Sequence, residues 1–436
     1  MIKILLLISY VCENIFNFVL VKLNDTYVKK PLPENVRDVY DEEKYNKWIN
    51  YRNDTKKFSA IQTLVSALIT LILLIFNLHS KIFYLFNFNT VVNYILFILV
   101  FTIVSTIISI PFGYYQNFVI EEKYGFNKTT IKTFILDIIK SLVLGLIVST
   151  ILFLVVMFLF EKFGNLGILF TIIVVILFSL AINLLSMPLM RIFNKFTPLE
   201  EGELRDSLVN LCEKYNVKIK AIYVMDASRR TTRANAFCTG LVKKTVSLDD
   251  NLVNNYTVDE IVAVFAHEFG HAKYKHVLKS IWFSFFRIII LIVALGLILN
   301  IPQFCTEFGF NEVNYYFAFT VLTMISWPVS NLFNLVSNKI SRTFEYQADG
   351  FAAKEGYGEA LISALKRLSK DALTNLNPHP VVVKLEYSHP TLSERITAIR
   401  KISKTDGTQP NSEINNQTIN TEINIDLKED NTQKEE

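Results

Sequence analysis

Apolar residues gather in seven long blocks, near 3–23, 59–80, 91–113, 137–160, 166–192, 280–301 and 314–336, with polar stretches between them. An α-helix rises about 1.5 Å per residue, so roughly 20 apolar residues cross ~30 Å of hydrocarbon. Each block is therefore predicted to be a membrane span. The run 142–160 contains no charge at all. The first block follows Lys3 and has the outline of a signal peptide. It lacks a small-x-small cleavage site, carries Glu13 inside the run and continues into a basic loop, so it reads as a retained span. A carboxylate in lipid is costly, and Glu13 is expected to face a polar interior, a partner or a helix end.

The polar stretches set the sides. The loops after the second, fourth and sixth spans hold Lys81, Lys162 and, from 301 to 313, no Lys or Arg. The first loop alone carries Lys29, Lys30, Arg37, Lys56 and Lys57. Basic loops stay cytoplasmic, which puts the odd loops and the C-terminus on that side and the N-terminus opposite. Lys3 is the exception and is outvoted. Two cytoplasmic segments are long enough to carry a function, about 193–279 and everything after 337. The first should hold a polar helix over 202–214, a strand over 219–225 and a strand pair over 235–248 turning at Lys243-Lys244. A helix over roughly 258–276 then runs toward the sixth span. Past Lys404 the chain turns rich in Asn, Thr, Glu and Lys without aromatics and is predicted to be disordered. The expected division is 1–192 (five spans and their loops), 193–279 (cytoplasmic), 280–336 (two spans), 337–403 (cytoplasmic) and 404–436 (tail).

Composition narrows the class. The chain has 436 residues, 51% hydrophobic and 19% charged, with a net charge of +4. Ordinary soluble domains carry about a quarter charged residues, so a cytosolic protein is excluded, and the 35 Phe and 19 Tyr exclude disorder over most of the length. Cys12, Cys212, Cys238 and Cys305 form no C-x-x-C pair, against a disulfide scaffold, a zinc ribbon or a thioredoxin-type site.

The chemistry lies in Ala266-His267-Glu268-Phe269-Gly270-His271, an H-E-x-x-H segment in a predicted helix. Residues four apart stand about 40° from each other around a helix and one turn apart along it. Both imidazoles can then reach one zinc ion, while Glu268, about 100° from His267, is free to act as the base for an attacking water. A catalytic zinc needs a third protein ligand and an open position. Glu345, in Phe344-Glu345-Tyr346-Gln347-Ala348-Asp349, follows the seventh span, and two membrane crossings return it to the side of the histidines. Asp349, one turn on, would hydrogen-bond the distal nitrogen of a ligand histidine. His276 stands nine residues after His267, about 180° round the expected helix, and reads as a boundary or packing residue. His79 at a span end and His379 in a loop read likewise.

These motifs, in this order and with seven spans, resemble the integral-membrane CAAX prenyl endopeptidases, zinc proteases of the endoplasmic reticulum and nuclear envelope. The likeness covers about 400 residues. It includes Glu121-Glu122-Lys123-Tyr124-Gly125-Phe126-Asn127, Phe196-Thr197-Pro198-Leu199, Asn235-Ala236-Phe237, the H-E-F-G-H segment, Phe344 to Asp349, and Tyr387-Ser388-His389-Pro390 with Glu394-Arg395. The departures are Cys238-Thr239, where a more aromatic run is expected, and Thr391 in place of a second proline.

The resemblance implies an all-α membrane protein with seven transmembrane helices around a chamber, plus a small α+β cytoplasmic zinc-metalloprotease domain. It implies one Zn2+ per chain, held by His267, His271 and Glu345, with Glu268 as general base and acid. Asn235 and the strand after it would pair with an extended substrate. His389 would stabilise the oxyanion, and Arg395 would support that loop or the substrate carboxylate. The implied substrate is a protein ending in a prenylated Cys-a-a-X, trimmed of its last three residues. Membrane lipid is the other expected partner, with no nucleic acid and a monomeric chain. Residence in the endoplasmic reticulum rests on the resemblance alone, because the C-terminus has no dilysine pattern. The principal rival is a quality-control membrane metalloprotease that cuts misfolded or stalled membrane proteins without a prenyl group. A channel or transporter would need more intramembrane charges and broken spans than Glu13 and Pro111 supply. A scaffold with structural zinc would not need Glu268.

Overall fold

The structure is a computed structural model, described for residues 1–215, 219–239 and 244–405. The expected tail beyond 405 and the turn at Lys243 lie outside the described residues. The chain divides into two compact units.

The first unit comprises Met1–Lys29, Asn46–Ala181 and Trp282–Val336. Among the described residues, seven helices are long and apolar enough to cross a membrane, beginning at Ile2, Glu42, Thr90, Ile131, Leu166, His276 and Tyr315. Each corresponds to one predicted block, but two ends differ. The second helix starts at Glu42 and stops at Ile75, because Asn77 takes a positive φ of 55° and a short helix, Leu78–Phe83, follows. The fifth stops at Leu184, and Ser186–Phe193 forms a separate helix. Pro188 has no N–H for the Leu184 carbonyl, so the ladder cannot continue through it.

Leu6, Leu74, Phe160, Leu295, Phe317 and Val321 form the packed interior, drawn from five of these helices. Polar groups close both ends. At one end the N-terminal ammonium binds Glu307 at 2.9 Å, and Ser80 Oγ donates to the Phe308 carbonyl at 2.8 Å. Lys3 Nζ donates to the Ile75 carbonyl (3.0 Å) and to Asn77 Oδ1 (2.6 Å), so the one lysine that ran against the charge bias caps the end of the second helix. At the other end Asp25 pairs with Arg52 and Lys56, Lys123 and Tyr124 donate to Asp54, and Tyr51 donates to Glu121. The N-terminus and the second and sixth loops thus share one end of this unit, and the residues flanking the first and third loops the other. Glu13 is half-buried in the first helix.

The second unit comprises, of the described residues, those in 30–45, 182–281 and 337–405. Its four-stranded sheet has the order β1-β2-β4-β3, with β1 Phe196–Pro198, β2 Ile219–Met225, β3 Ala236–Thr239 and β4 Lys244–Asp249. β3 and β4 form the expected antiparallel pair, Phe237 opposite Ser247, while β4 also runs parallel to β2. β3 is an edge strand. Val246 and Leu248 alternate with Ser247 and Asp249 along β4, and Leu248 joins Leu208, Leu252, Ile261, Phe265 and Leu361 in the core. Segment 30–45, part of the first loop, folds into this unit rather than with the spans. Tyr40 donates its hydroxyl to the Thr374 carbonyl (2.8 Å), Asn35 donates to the Ser393 carbonyl (2.9 Å), and Lys366 pairs with Asp38 (2.6 Å).

Candidate metal centre

The helix Val258–Lys273 carries H-E-x-x-H. Thr257 and Glu260 start it with a capping box, each side chain accepting the other's backbone N–H (3.3 and 3.1 Å). Glu260 also accepts from Ser363 (2.8 Å) and Arg367 (3.1 Å). Every residue from Glu260 to His267 is buried, as expected of a helix that is apolar on all sides and enclosed by others. At Gly270 it meets the helix Tyr315–Ala352. A Cβ there would lie 3.0 Å from the Cα of Ala348 and 3.3 Å from its carbonyl oxygen. That close crossing brings Glu345 and Asp349 against the two histidines.

His267 Nε2 and His271 Nε2 lie 3.2 Å apart. Glu345 Oε2 is 3.5 Å from the first and Oε1 is 3.3 Å from the second. Among the described residues, these three form the group that could hold a metal. Zinc bonds of about 2.1 Å at tetrahedral angles separate neighbouring donors by about 3.4 Å; the separations here are of that size, each imidazole facing a different Glu345 oxygen, so these residues fit zinc. Glu345 is 6% exposed, and its Oε2 is a buried acceptor with no hydrogen-bond partner among the described residues. Such an orphan suits a cation site.

A second set of groups orients the first. Asp349, 0% exposed, accepts from His267 Nδ1 at 2.9 Å, which leaves Nε2 as the free nitrogen. Arg395 donates to both Asp349 oxygens (2.9 and 2.6 Å), and its Nη1 lies 3.6 Å from Glu345. Two of its nitrogens are thereby engaged inside the protein. Thr391, at the departure from the family pattern, caps the helix that bears Arg395. Its Oγ1 accepts from Glu394 N–H (3.3 Å), and its own N–H donates to Glu394 (2.8 Å).

The remaining predicted site residues lie outside the His-His-Glu group. Glu268 is half-buried and outside the three-residue group. Burial pushes its carboxyl above the usual carboxylate range, against the pull of His267 and His271. His389 is exposed, its Nε2 3.4 Å from Glu345 Oε1 and its Nδ1 3.0 Å from Ser388 Oγ. Arg342 holds that loop by donating to the carbonyls of Val383 (2.9 Å) and Tyr387 (2.6 Å). Asn235 is exposed at the start of β3, and its carbonyl accepts from Asp249 N–H (3.0 Å). It belongs to the sheet edge rather than to the His-His-Glu cluster. β3 packs beside the H-E-x-x-H helix.

One expectation fails. The helix does not run through to His276. It ends at Lys273, Lys275 takes a φ of 56°, and a new helix starts at His276. His276 is therefore not on the far side of the helix but 2.9 Å from His271, Nδ1 to Nδ1. No residue type between 272 and 276 signals that break.

Two family models match the chain. One, described as the CAAX prenyl protease N-terminal region of five membrane helices, covers residues 24–195, and the other, peptidase family M48, covers 198–403. CAAX prenyl protease 1 of Saccharomyces cerevisiae is 32% identical over 88% of this chain and 90% of its own. A CAAX prenyl protease 1 homolog of Arabidopsis thaliana is 32% identical over 86% and 92%. The crystal structure of Ste24p from S. mikatae matches with a TM-score of 0.85 at 30% identity, covering 91% of this chain and 98% of that one.

Proposed function

Because this chain belongs to the CAAX prenyl protease 1 family of M48 peptidases and is a membrane metalloprotease, we propose that it removes the last three residues of proteins ending in a prenylated Cys-a-a-X. The observation that carries the reading is the approach of the Glu345 carboxylate to 3.3–3.5 Å from two imidazole nitrogens of the H-E-x-x-H helix. The three donors form one cluster, which supports one zinc per chain.

Zinc held by His267, His271 and Glu345 supplies a lowered water pKa, toward ~7, and a polarised scissile carbonyl. Glu268 takes the proton from the attacking water and delivers it to the leaving amine; a carboxyl pushed upward by burial suits both transfers. His389 Nε2 donates to the developing oxyanion, where one such donor is typically worth ~10²–10³ in rate. The outer side of β3 takes an extended peptide as an added strand, with Asn235 at its start and Cys238 among its side chains. Arg395 keeps Asp349, and through it His267, in place. A prenyl group gives the substrate a reason to stay in the membrane while its peptide reaches this site. The lysine- and arginine-rich odd loops favour a cytoplasmic metalloprotease unit and C-terminus, and family likeness favours the endoplasmic reticulum.

The test is the purified chain on a farnesylated Cys-a-a-X peptide and its unmodified twin, reading the released tripeptide by mass spectrometry. We expect cleavage of the farnesylated peptide, and its loss in Glu268→Gln with zinc content unchanged. Equal turnover of the twin would replace this reading with quality-control proteolysis.

A further inference from the structure

His267 has a carboxylate behind it; among the described residues, His271 has none at its Nδ1. What stands behind His271 is His276, and it is there because Lys275 enters the left-handed region and interrupts the helix. His276 is 2% exposed. Its ring lies flat on Phe344, centroids 4.1 Å apart at 7°. Its Nδ1 is 2.9 Å from His271 Nδ1, and its Nε2 is 2.8 Å from Gln347 Oε1. Phe344 and Gln347 flank Glu345 in sequence, so one imidazole bridges the two helices that supply the three donors.

The partners determine which nitrogen carries each proton. Gln347 Oε1 only accepts, so His276 bears its hydrogen on Nε2, and its Nδ1 is an acceptor. His271 must then donate from Nδ1, which leaves the lone pair of its Nε2 directed at His267 Nε2 and Glu345 Oε1. The hydrogen bonds run in one direction, from His271 to His276 to Gln347.

We propose that His276 is a positioning residue for His271: by accepting the Nδ1 hydrogen it fixes the ring and tautomer that offer Nε2 to the metal. Gln347 fixes His276 in turn, and the Phe344 stack sets its plane. A neutral imidazole here does for one histidine what Asp349 does for the other. The inference rests on the reading that His267, His271 and Glu345 hold zinc.

The experiment measures zinc affinity of the full-length protein in detergent, by competition with a chromophoric chelator, alongside the melting temperature of the zinc-free chain. Phe at 276 keeps the ring against Phe344 but accepts no hydrogen bond. His276→Phe should bind zinc about 10–100-fold more weakly at an unchanged zinc-free melting temperature, the usual effect of losing such a partner. His276→Asn, whose amide oxygen can stand in for Nδ1, should recover most of the loss, a rescue that a merely space-filling role would not produce. Unchanged affinity in His276→Phe overturns the proposal. If that variant does not fold, Gln347→Leu, at an exposed position, decides instead: affinity weakened several-fold sustains the proposal and parental affinity overturns it. A parent chain that takes up no zinc would overturn the zinc reading itself. A parent that binds zinc beside an equally tight His276→Phe would overturn only the role given to His276.

Discussion

Gly270→Ala probes the crossing that assembles the centre. The added Cβ would stand 3.0 Å from Ala348 Cα, 3.3 Å from Ala348 O and 3.3 Å from Phe351 Cβ. Ordinary contact begins near 3.4 Å, and two of these atoms are backbone, so the helix carrying Glu345 must retreat by a few tenths of an ångström. Glu345 and Asp349 would move with it, while both histidines stay on the helix that carries the new methyl group. Metal–ligand distances tolerate only about ±0.2 Å. A displacement of ~1 Å near the reacting groups typically costs ~10²-fold, so a few tenths of an ångström should cost about tenfold, equivalent to about 1.4 kcal/mol of transition-state stabilisation. Overpacking adds about 1–3 kcal/mol of destabilisation, whereas Ala in an open helix would stabilise by up to ~1 kcal/mol. The assay is kcat/KM on the farnesylated peptide, with zinc per chain after dialysis at limiting zinc. The expected result is a loss of about tenfold in kcat/KM together with substoichiometric zinc. Near-parental turnover with full zinc retention would refute the claim that this crossing sets the ligand spacing.

Three further outcomes are expected. Asp349→Asn should weaken zinc binding about 10–100-fold by chelator competition. It should also lower the melting temperature, because the fully buried Asp349 would no longer neutralise Arg395. Asp249 is 4% exposed with Oδ1 unpartnered among the described residues, and burial, then the neighbouring Asp250, pushes its carboxyl up to about 7. Between its ordinary value of 3.8 and about 7 the folded chain holds a proton that the unfolded chain has lost, so stability falls as pH rises through that window and the cost is complete above it. Asp249→Asn should remove that slope and raise stability at pH 8 by about 1–3 kcal/mol, read from thermal unfolding between pH 5 and 8. Stripping metal with a chelator should abolish peptide cleavage, and stoichiometric zinc should restore it.

The spans were legible because lipid demands ~20 apolar residues in a row, a condition that neighbours in sequence satisfy by themselves. The break before Pro188 was not read, because the apolar run continues through it to 192 although its missing N–H ends the fifth helix. His267 and His271 were legible as a pair because one turn of helix joins them. Glu345 was reachable only through the count of crossings that returns it to the same side. Segment 30–45 gave no sign of folding with the sheet, since Tyr40 and Asn35 hydrogen-bond carbonyls more than 300 residues away in sequence.

The order of residues alone therefore determined what depends on local spacing: seven apolar helices, the i, i+4 imidazoles, and the strands β2, β3 and β4. The tertiary structure alone decided what depends on distant segments meeting. It set the parallel β2–β4 pairing, the close crossing at Gly270, the seating of Arg395 on Asp349 and the return of His276 onto His271. The physical reason is that helices and strands are fixed by hydrogen bonds between near neighbours, whereas the partner of a buried side chain is chosen by packing, and packing takes no account of distance along the chain.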